Sequence, residues 1–295
     1  MIAAFALAGL LSAFVQEGTL DVLDGETLFE GGWLFTLGVE TETREGLRRG
    51  SDRVDDPLDR KLTERIAALG AHYGLRHDLQ LSAILPWVER DFESGSDRIS
   101  ADGPGDFAFV AKWRFYRWDD VGKAANFAVM AGVEAPTGED GEEANGVRLP
   151  PELQPGSGSW DPSLGAAATY EPGRWRFNAA TLYQRNGKGG GDFKDGDELF
   201  AELAAGNRFW LEPYPGPFMR FDVLLRYRHQ ARASLGGSTL SATGGDFLTA
   251  GATLAFRPRP TLDFQVFVEV PVWQDVNGIQ LEEDVRFFFA FGFRI

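Results

Sequence analysis

The chain has no cysteine among its 295 residues, and only three histidines and three methionines. Without thiols there is no disulfide framework, no thiolate metal site and no cysteine nucleophile, and the lack is compatible with an oxidising compartment such as the periplasm. Basic residues are the minority, 29 against 44 acidic ones, and the resulting net charge of −15 argues against nucleic acid as a partner. Apart from a processing segment at the start, no run reaches the roughly 18 apolar residues that a spanning helix needs. Mean hydropathy is slightly negative. That average disfavours a helical membrane protein but not a transmembrane barrel, whose apolar residues occupy only every second position. A G-x-S-x-G nucleophile motif is also missing, and His72, His77 and His229 fall in three unrelated settings: a lumen register, a turn and an outward register. The acidic clusters at 52–59 and 139–143 lack the spaced ligands and central glycine of a calcium loop. These lacks predict no catalytic residue, no metal and no cofactor.

What is abundant is phenylalanine, 24 residues, and glycine, 36. The last stretch is the most telling. Phe287, Phe289, Phe291, Phe293 and Ile295 take every second position, with Arg286, Phe288, Ala290, Gly292 and Arg294 between them. A period of two is a strand pattern. Large apolar side chains on one face and arginines on the other suit a strand with lipid on one side. The chain stops there with no polar tail, as expected of a strand that closes a barrel against the first one.

The same alternation recurs from Gly31 onward. Trp33, Phe35, Leu37 and Val39 oppose Thr36, Glu40 and Glu42; Leu69 and Tyr73 oppose Glu64 and His72; Phe109 and Trp113 oppose Lys112 and Arg114. Phe127 and Val129 oppose Met130 and Glu134, Phe177 opposes Arg176, and Leu199, Leu203 and Phe209 oppose Glu198, Glu202 and Arg208. Phe221 and Leu225 oppose Arg220, Asp222, Arg226 and Arg228, while Val266 and Val268 oppose Phe267 and Glu269. Counting every such segment gives about twelve strands, an even number, as bacterial barrels have. Placed on the lipid face near the midplane, each arginine would cost about 2–4 kcal/mol. The registers put them all on the other face, among carboxylates that can pair with them. Such a lumen is either a solvated path or a salt-bridged plug. A wet path is the expectation here, in which exchanging Glu202 or Arg226 for glutamine costs little stability.

Connections decide between this barrel and a soluble β-sandwich. Long ones are expected over 45–62, 93–104, 137–160, 187–196, 230–245 and 275–281, and short ones over 76–78, 118–124, 171–174, 211–217 and 257–261. Alternating long and short connections are a habit of outer-membrane barrels, with short turns on the periplasmic side. The sequence therefore predicts an all-β, antiparallel transmembrane barrel of outer-membrane type over 31–295. An apolar run from Ile2 to Val15 predicts a secretory signal over 1–16, cleaved near Ala13 to Gln16, and 17–30 reads as a periplasmic segment. Pro86, Pro136 and Pro271 lie near the outer ends of upward strands, where a missing ladder donor marks a bulge or a strand end, so they are candidates for shaping the mouth. Trp87 and Trp273 beside two of them suit an interfacial girdle.

Several stretches carry a resemblance. They are Tyr73-Gly74-Leu75, Asp78-Leu79-Gln80-Leu81, Leu85-Pro86, Gly105-Asp106-Phe107, Pro136-Thr137-Gly138, Gly156-Ser157-Gly158-Ser159-Trp160-Asp161-Pro162, Gly196-Asp197-Glu198 and Pro271-Val272-Trp273-Gln274-Asp275. In these the chain resembles the bacterial outer-membrane transporter family associated with the meta-pathway of phenol degradation. The resemblance implies a barrel in the outer membrane of a Gram-negative cell that passes small aromatic or otherwise apolar solutes. It brings no catalytic residues. Ile295 departs from the aromatic residue that usually ends a barrel assembly signal. The expected partners are membrane lipid and lipopolysaccharide, the barrel assembly machinery through the last strand, and a small-molecule solute, with Phe267 and Phe288 amid lumen charges suiting an amphipathic one. The alternative is a non-conducting structural or adhesion barrel with a salt-bridged lumen.

Overall fold

The structure, a computed structural model, describes residues 23–144 and 146–295. The expected signal segment lies outside the described residues. Eleven long elements make the wall: β1 (Trp33–Gly50), β2 (Lys61–Arg76), β3 (Leu79–Ser94), β4 (Phe107–Asp120), β5 (Lys123–Ala135), β6 (Asp161–Pro172), β7 (Trp175–Gln184), β8 (Glu198–Leu211), β9 (Phe218–Gln230), β10 (Gly245–Arg259) and β11 (Leu262–Arg294). Each pairs with the next along the chain, and β11 also pairs antiparallel with β1, setting Leu34 opposite Arg294 and Val39 opposite Phe289.

That seam fixes the number of staves. Directions alternate around the wall, so an odd number would close on a parallel pair. The antiparallel seam needs an even number, and β11 supplies it by doubling back. Its first part pairs with β10 as far as Val276, and its second pairs with β1 from Ile279 to Arg294. Gly278 between them has a φ of 70°. The Arg294 N–H donates to the Thr261 carbonyl across 2.9 Å, so the two ends of β11 meet. Twelve staves thus close one sheet, as the registers predict. The expected loop over 275–281 is replaced by a tight reversal.

Turns at 77–78, 121–122, 173–174, 212–217 and 260–261 cluster at one end of the barrel, and connections at 51–60, 95–106, 136–160, 185–197 and 231–244 at the other. The longest strands exceed the roughly 9–11 residues that cross a bilayer: β1 has 18 residues, and β2 and β3 have 16 each. The surplus stands beyond the membrane at the long-loop end. There Leu47, Leu62, Phe92 and Leu281 pack with Ala101, Leu149 and Leu153 from the loops. This second apolar core keeps the chain extended, so the strands run further than the loop expectations at 45–62 and 93–104 allow.

Along β1 the exposed Phe35, Leu37 and Val39 alternate with the buried Leu34, Thr36, Gly38 and Glu40. Apolar residues outside and polar ones inside is the arrangement that a bilayer stabilises. Trp33 stacks on Phe35 at 5.7 Å and Trp175 on Phe177 at 6.2 Å near the short-turn end, while Trp87 and Trp273 are exposed toward the other. The segment expected in the periplasm, 17–30, is a correction over its described part. Residues from Leu23 onward are drawn into the barrel, because their carboxylates and carbonyls find partners on the inner wall.

The seam makes a depth-dependent prediction. Phe289→Arg, at mid-depth, should destabilise the folded barrel in lipid vesicles by about 2–4 kcal/mol, and Phe293→Arg, near the interface, by about 0–1 kcal/mol. Equal losses in urea titrations would mean that the depth assigned to this strand is wrong.

Candidate functional site in the barrel lumen

Gly31 turns the chain inward from the start of β1 with a φ of 78°. The segment before it climbs the inner wall without joining the ladder. Thr27 Oγ1 donates to the His77 carbonyl, the Leu28 N–H to Gln80 Oε1 and the Gly25 N–H to Thr169 Oγ1, at 3.0, 3.0 and 2.9 Å. At Gly25 a Cβ would lie 2.5 Å from the Asn126 carbonyl oxygen, so only glycine lets the segment lie this close to the wall. Lys112 Nζ reaches Asp24 Oδ1 at 2.6 Å. Arg176 bridges Asp24 at 3.1 Å and Glu26 at 2.7 Å, and also meets Glu171.

Below this segment lies a vestibule of about 430 Å³ at the short-turn end. Arg114, Arg117, Arg208, Arg257, Arg294 and His72 line it together with Lys112 and Arg176. Arg208 and Arg257 both stand over the Phe218 ring, 5.6 and 4.9 Å from its centroid. His72 is held between Thr36 Oγ1 and Ser82 Oγ, which accounts for it as a wall residue.

Above, the two halves of the wall differ. On one side Leu23 enters an apolar collar that includes Ile66, Ile84, Val88, Val110, Met130 and Phe200. On the other, Arg226 sits between Glu202 and Glu269, 2.6 Å from each. Arg286 joins Glu42 at 2.6 Å, Glu40 at 3.3 Å and Glu269 at 3.6 Å. The Arg226 guanidinium also faces Phe200 and Phe267, at 5.0 and 5.8 Å. Phe288 packs nearby with Leu34, Leu224 and Phe267. Closer to the long-loop end, Arg90 binds Glu64 at 2.5 Å and the Gln154 carbonyl, and Arg228 binds Glu283 with Glu198 at 3.9 Å. Arg220 pairs with Asp222 on its own strand at 2.7 Å.

The outer mouth carries a cap. Asp106 accepts from the Gly138 N–H, the Ser157 N–H and Ser157 Oγ, and Asp161 accepts from Ser157 Oγ, Ser159 Oγ and the Gly187 N–H. Two buried carboxylates thereby hold the 136–160 loop over the lumen, next to the buried Glu134. This network uses the Gly156 to Asp161 stretch, whose role the strand registers do not reveal. Pro86 is buried on the inner face within β3, Pro271 sits at the bulge where β11 slips against β10, and Pro136 follows the end of β5 and is exposed. Three prolines therefore occupy three different positions, and Pro136 does not project into the lumen.

The inner-face residues named from sequence all lie on the lumen side, but in separate groups: Lys112, Arg114, Arg176, Arg208 and His72 below, Glu40, Glu202, Arg226, Glu269 and Arg286 at mid-depth, and Glu64, Glu134, Glu198 and Arg228 above. Sequence reasoning missed Asp24 and Glu26, which belong to no periodic segment, and Arg90, whose place on the inner register of β3 was readable.

The wet surroundings expected for Glu202 and Arg226 are not what the structure has. Their side chains are 0% and 3% exposed. Arg226→Gln should leave the buried Glu202 without its cation and Glu269 with the more distant Arg286, at 3.6 Å, and cost about 3–5 kcal/mol. A loss below about 1 kcal/mol in urea titration, the size of an exposed pair, would show that water reaches the network.

The cap should respond to pH. Burial pushes the Glu152 carboxyl up to about 7 from 4.5. The folded cap then holds a proton that the loosened loop releases, so its stability is greatest below 4.5 and falls as pH rises through 7. Protection of the Leu153 amide, bonded to the Pro150 carbonyl, should fall between pH 5 and pH 8 beyond the rise in exchange that hydroxide catalysis gives every amide, and Glu152→Gln should remove that excess. An unchanged slope in the variant would assign the response to another group.

Residues 69–273 match the family described as "Putative MetA-pathway of phenol degradation". Among solved structures, an outer membrane channel from Pseudomonas putida F1 superposes with a TM-score of 0.71 at 17% identity, over 92% of this chain and 98% of that one. The beta domain of a Bordetella autotransporter superposes at 0.50 with 11% identity, over 90% of this chain and all of its own. No curated protein matches the sequence. At these identities the structures share a fold. The family match spans well over half the chain, and with the closed wall and its lipid-facing aromatics it places the protein: this chain is an outer-membrane β-barrel belonging to the phenol-degradation MetA-pathway family.

Proposed function

We propose that the barrel carries small aromatic or otherwise apolar solutes across the outer membrane, through a lumen that its own N-terminal segment closes. The observation behind this reading is the form of the closure. Leu23 plugs the collar on a short stretch held by side-chain contacts, outside the backbone ladder that makes the wall permanent. A stopper of this kind can leave while the wall stays intact. The family's description and the fold shared with a bacterial outer membrane channel support the solute class and the direction of the reading. Lipid, with lipopolysaccharide in the outer leaflet, covers the outward face, and the barrel assembly machinery takes the C-terminal strand.

The competing reading is a non-conducting structural or adhesion barrel, and the buried Arg226, Glu202 and Glu269 group favours it. Leu23→Asp separates the two, because a second carboxylate beside Asp24 cannot rest in an apolar collar. In planar bilayers the unaltered protein should be mostly silent and the variant should conduct steadily. If both stay silent while folding normally, the barrel is a plug and its role lies in its outer loops.

A further inference from the structure

The vestibule is an odd feature in an acidic protein. Seven cations face it: Lys112, Arg114, Arg117, Arg176, Arg208, Arg257 and Arg294. Five carboxylates answer them: Asp24, Glu26 and Glu171, Asp119 through Arg117 at 2.5 Å, and Asp263 through Arg257 at 2.7 Å and Arg294 at 2.8 Å. Two of the five, Asp24 and Glu26, belong to the N-terminal segment, not to the wall. If that segment leaves, seven cations face three carboxylates.

The two cations most affected are the most buried. Lys112 is 1% exposed and Arg176 is 4% exposed. Release takes Asp24 from Lys112 and leaves Arg176 with Glu171 in place of three carboxylates. Stripping buried charges of partners is destabilising, and hydrogen bonds between ionised groups are the strong ones that must be replaced. The segment can therefore leave readily only if another anion takes over its contacts. Its own chemistry indicates what shape that anion has. Leu23 fills the apolar collar while the adjacent Asp24 carboxylate meets Lys112 and Arg176. An apolar body joined to one carboxylate is also the outline of a small aromatic or branched aliphatic acid.

We propose that Lys112 and Arg176 form a binding site for the carboxylate of a small amphipathic organic acid, occupied in this structure by the chain's own Asp24 and Glu26, so that segment and acid compete. The proposal rests on the transport reading for its purpose and names the solute class, but the site itself is tested by binding alone. Arg114 and Arg208 at the vestibule rim gather the anion, and the collar discriminates by its body: a carboxylate without an apolar part lacks the second contact, and a neutral ring lacks the first.

The test uses the full protein in detergent micelles with three probes: benzoate, benzyl alcohol and acetate. Benzoate should release the segment, raising hydrogen exchange at the Gly25 and Leu28 amides at least tenfold at saturation, while benzyl alcohol and acetate at the same concentration leave it unchanged. Exchange that stays constant up to saturating benzoate, or that rises equally with benzyl alcohol, overturns the proposal. In a second arm, Asp24→Asn with Glu26→Gln removes the internal competitor, so calorimetry should find benzoate bound at least tenfold more tightly, and adding Lys112→Met should abolish the gain. Equal benzoate affinity with and without the two acidic side chains also overturns it. Benzoate binding in a protein whose Leu23→Asp variant never conducts would sink the transport reading and leave the site standing. Conductance with no benzoate binding would do the reverse.

Discussion

A polypeptide in hydrocarbon has no water to satisfy its amides, and everything in this protein follows from that constraint. The seam between β1 and β11 removes the last free sheet edge. It fixes an even stave number, which forces β11 to double back within one element, and it sets which side of every strand meets lipid. Once Val39 and Phe289 are paired and outward, Glu40 and Phe288 have nowhere to go but the interior.

The interior then has its own problem. A lumen this narrow collects more ionised side chains than water can reach, so they must solvate one another. The solution is graded along the axis. At mid-depth, arginines share carboxylates, as Arg226 and Arg286 both do with Glu269. Toward the long-loop end a loop adds to the carboxylates of the wall, as when the Gln154 carbonyl joins Glu64 in receiving Arg90. Toward the short-turn end the wall runs short of acids, and the chain's own beginning supplies two of them. The N-terminal segment is thus an electrostatic part of the wall although it shares no ladder with it.

Most of the fold was legible because a period of two survives in any strand with different media on its two sides. Leu37, Leu203 and Phe289 announce their faces without reference to any neighbour. The stave count and the short turns followed from the same signal. What was not legible has no period. Asp24 and Glu26 sit in a brief irregular stretch whose place depends on Lys112 and Arg176, far away in sequence. The degree of hydration around Arg226 has no signature in the sequence for a related reason. Register says that a side chain faces inward but not how much else does, and Phe200 and Phe267 close on its guanidinium from two separate strands. The cap was hidden because its glycines and serines act through backbone N–H groups, which carry no side-chain pattern.

The segment is joined to β1 through only two glycines, Gly31 and Gly32. A ligand tethered so closely to its site acts at an effective concentration on the order of millimolar for a short flexible link. It is neither diluted by the periplasm nor exhausted by binding. The tether therefore sets a threshold: a solute competing for that space must exceed, in concentration weighted by affinity, a competitor whose level the cell cannot change. Lengthening the link beyond the glycine pair would lower that threshold with no change in the side chains that meet at Lys112 and Arg176, which makes two residues without side chains the adjustable setting of the molecule.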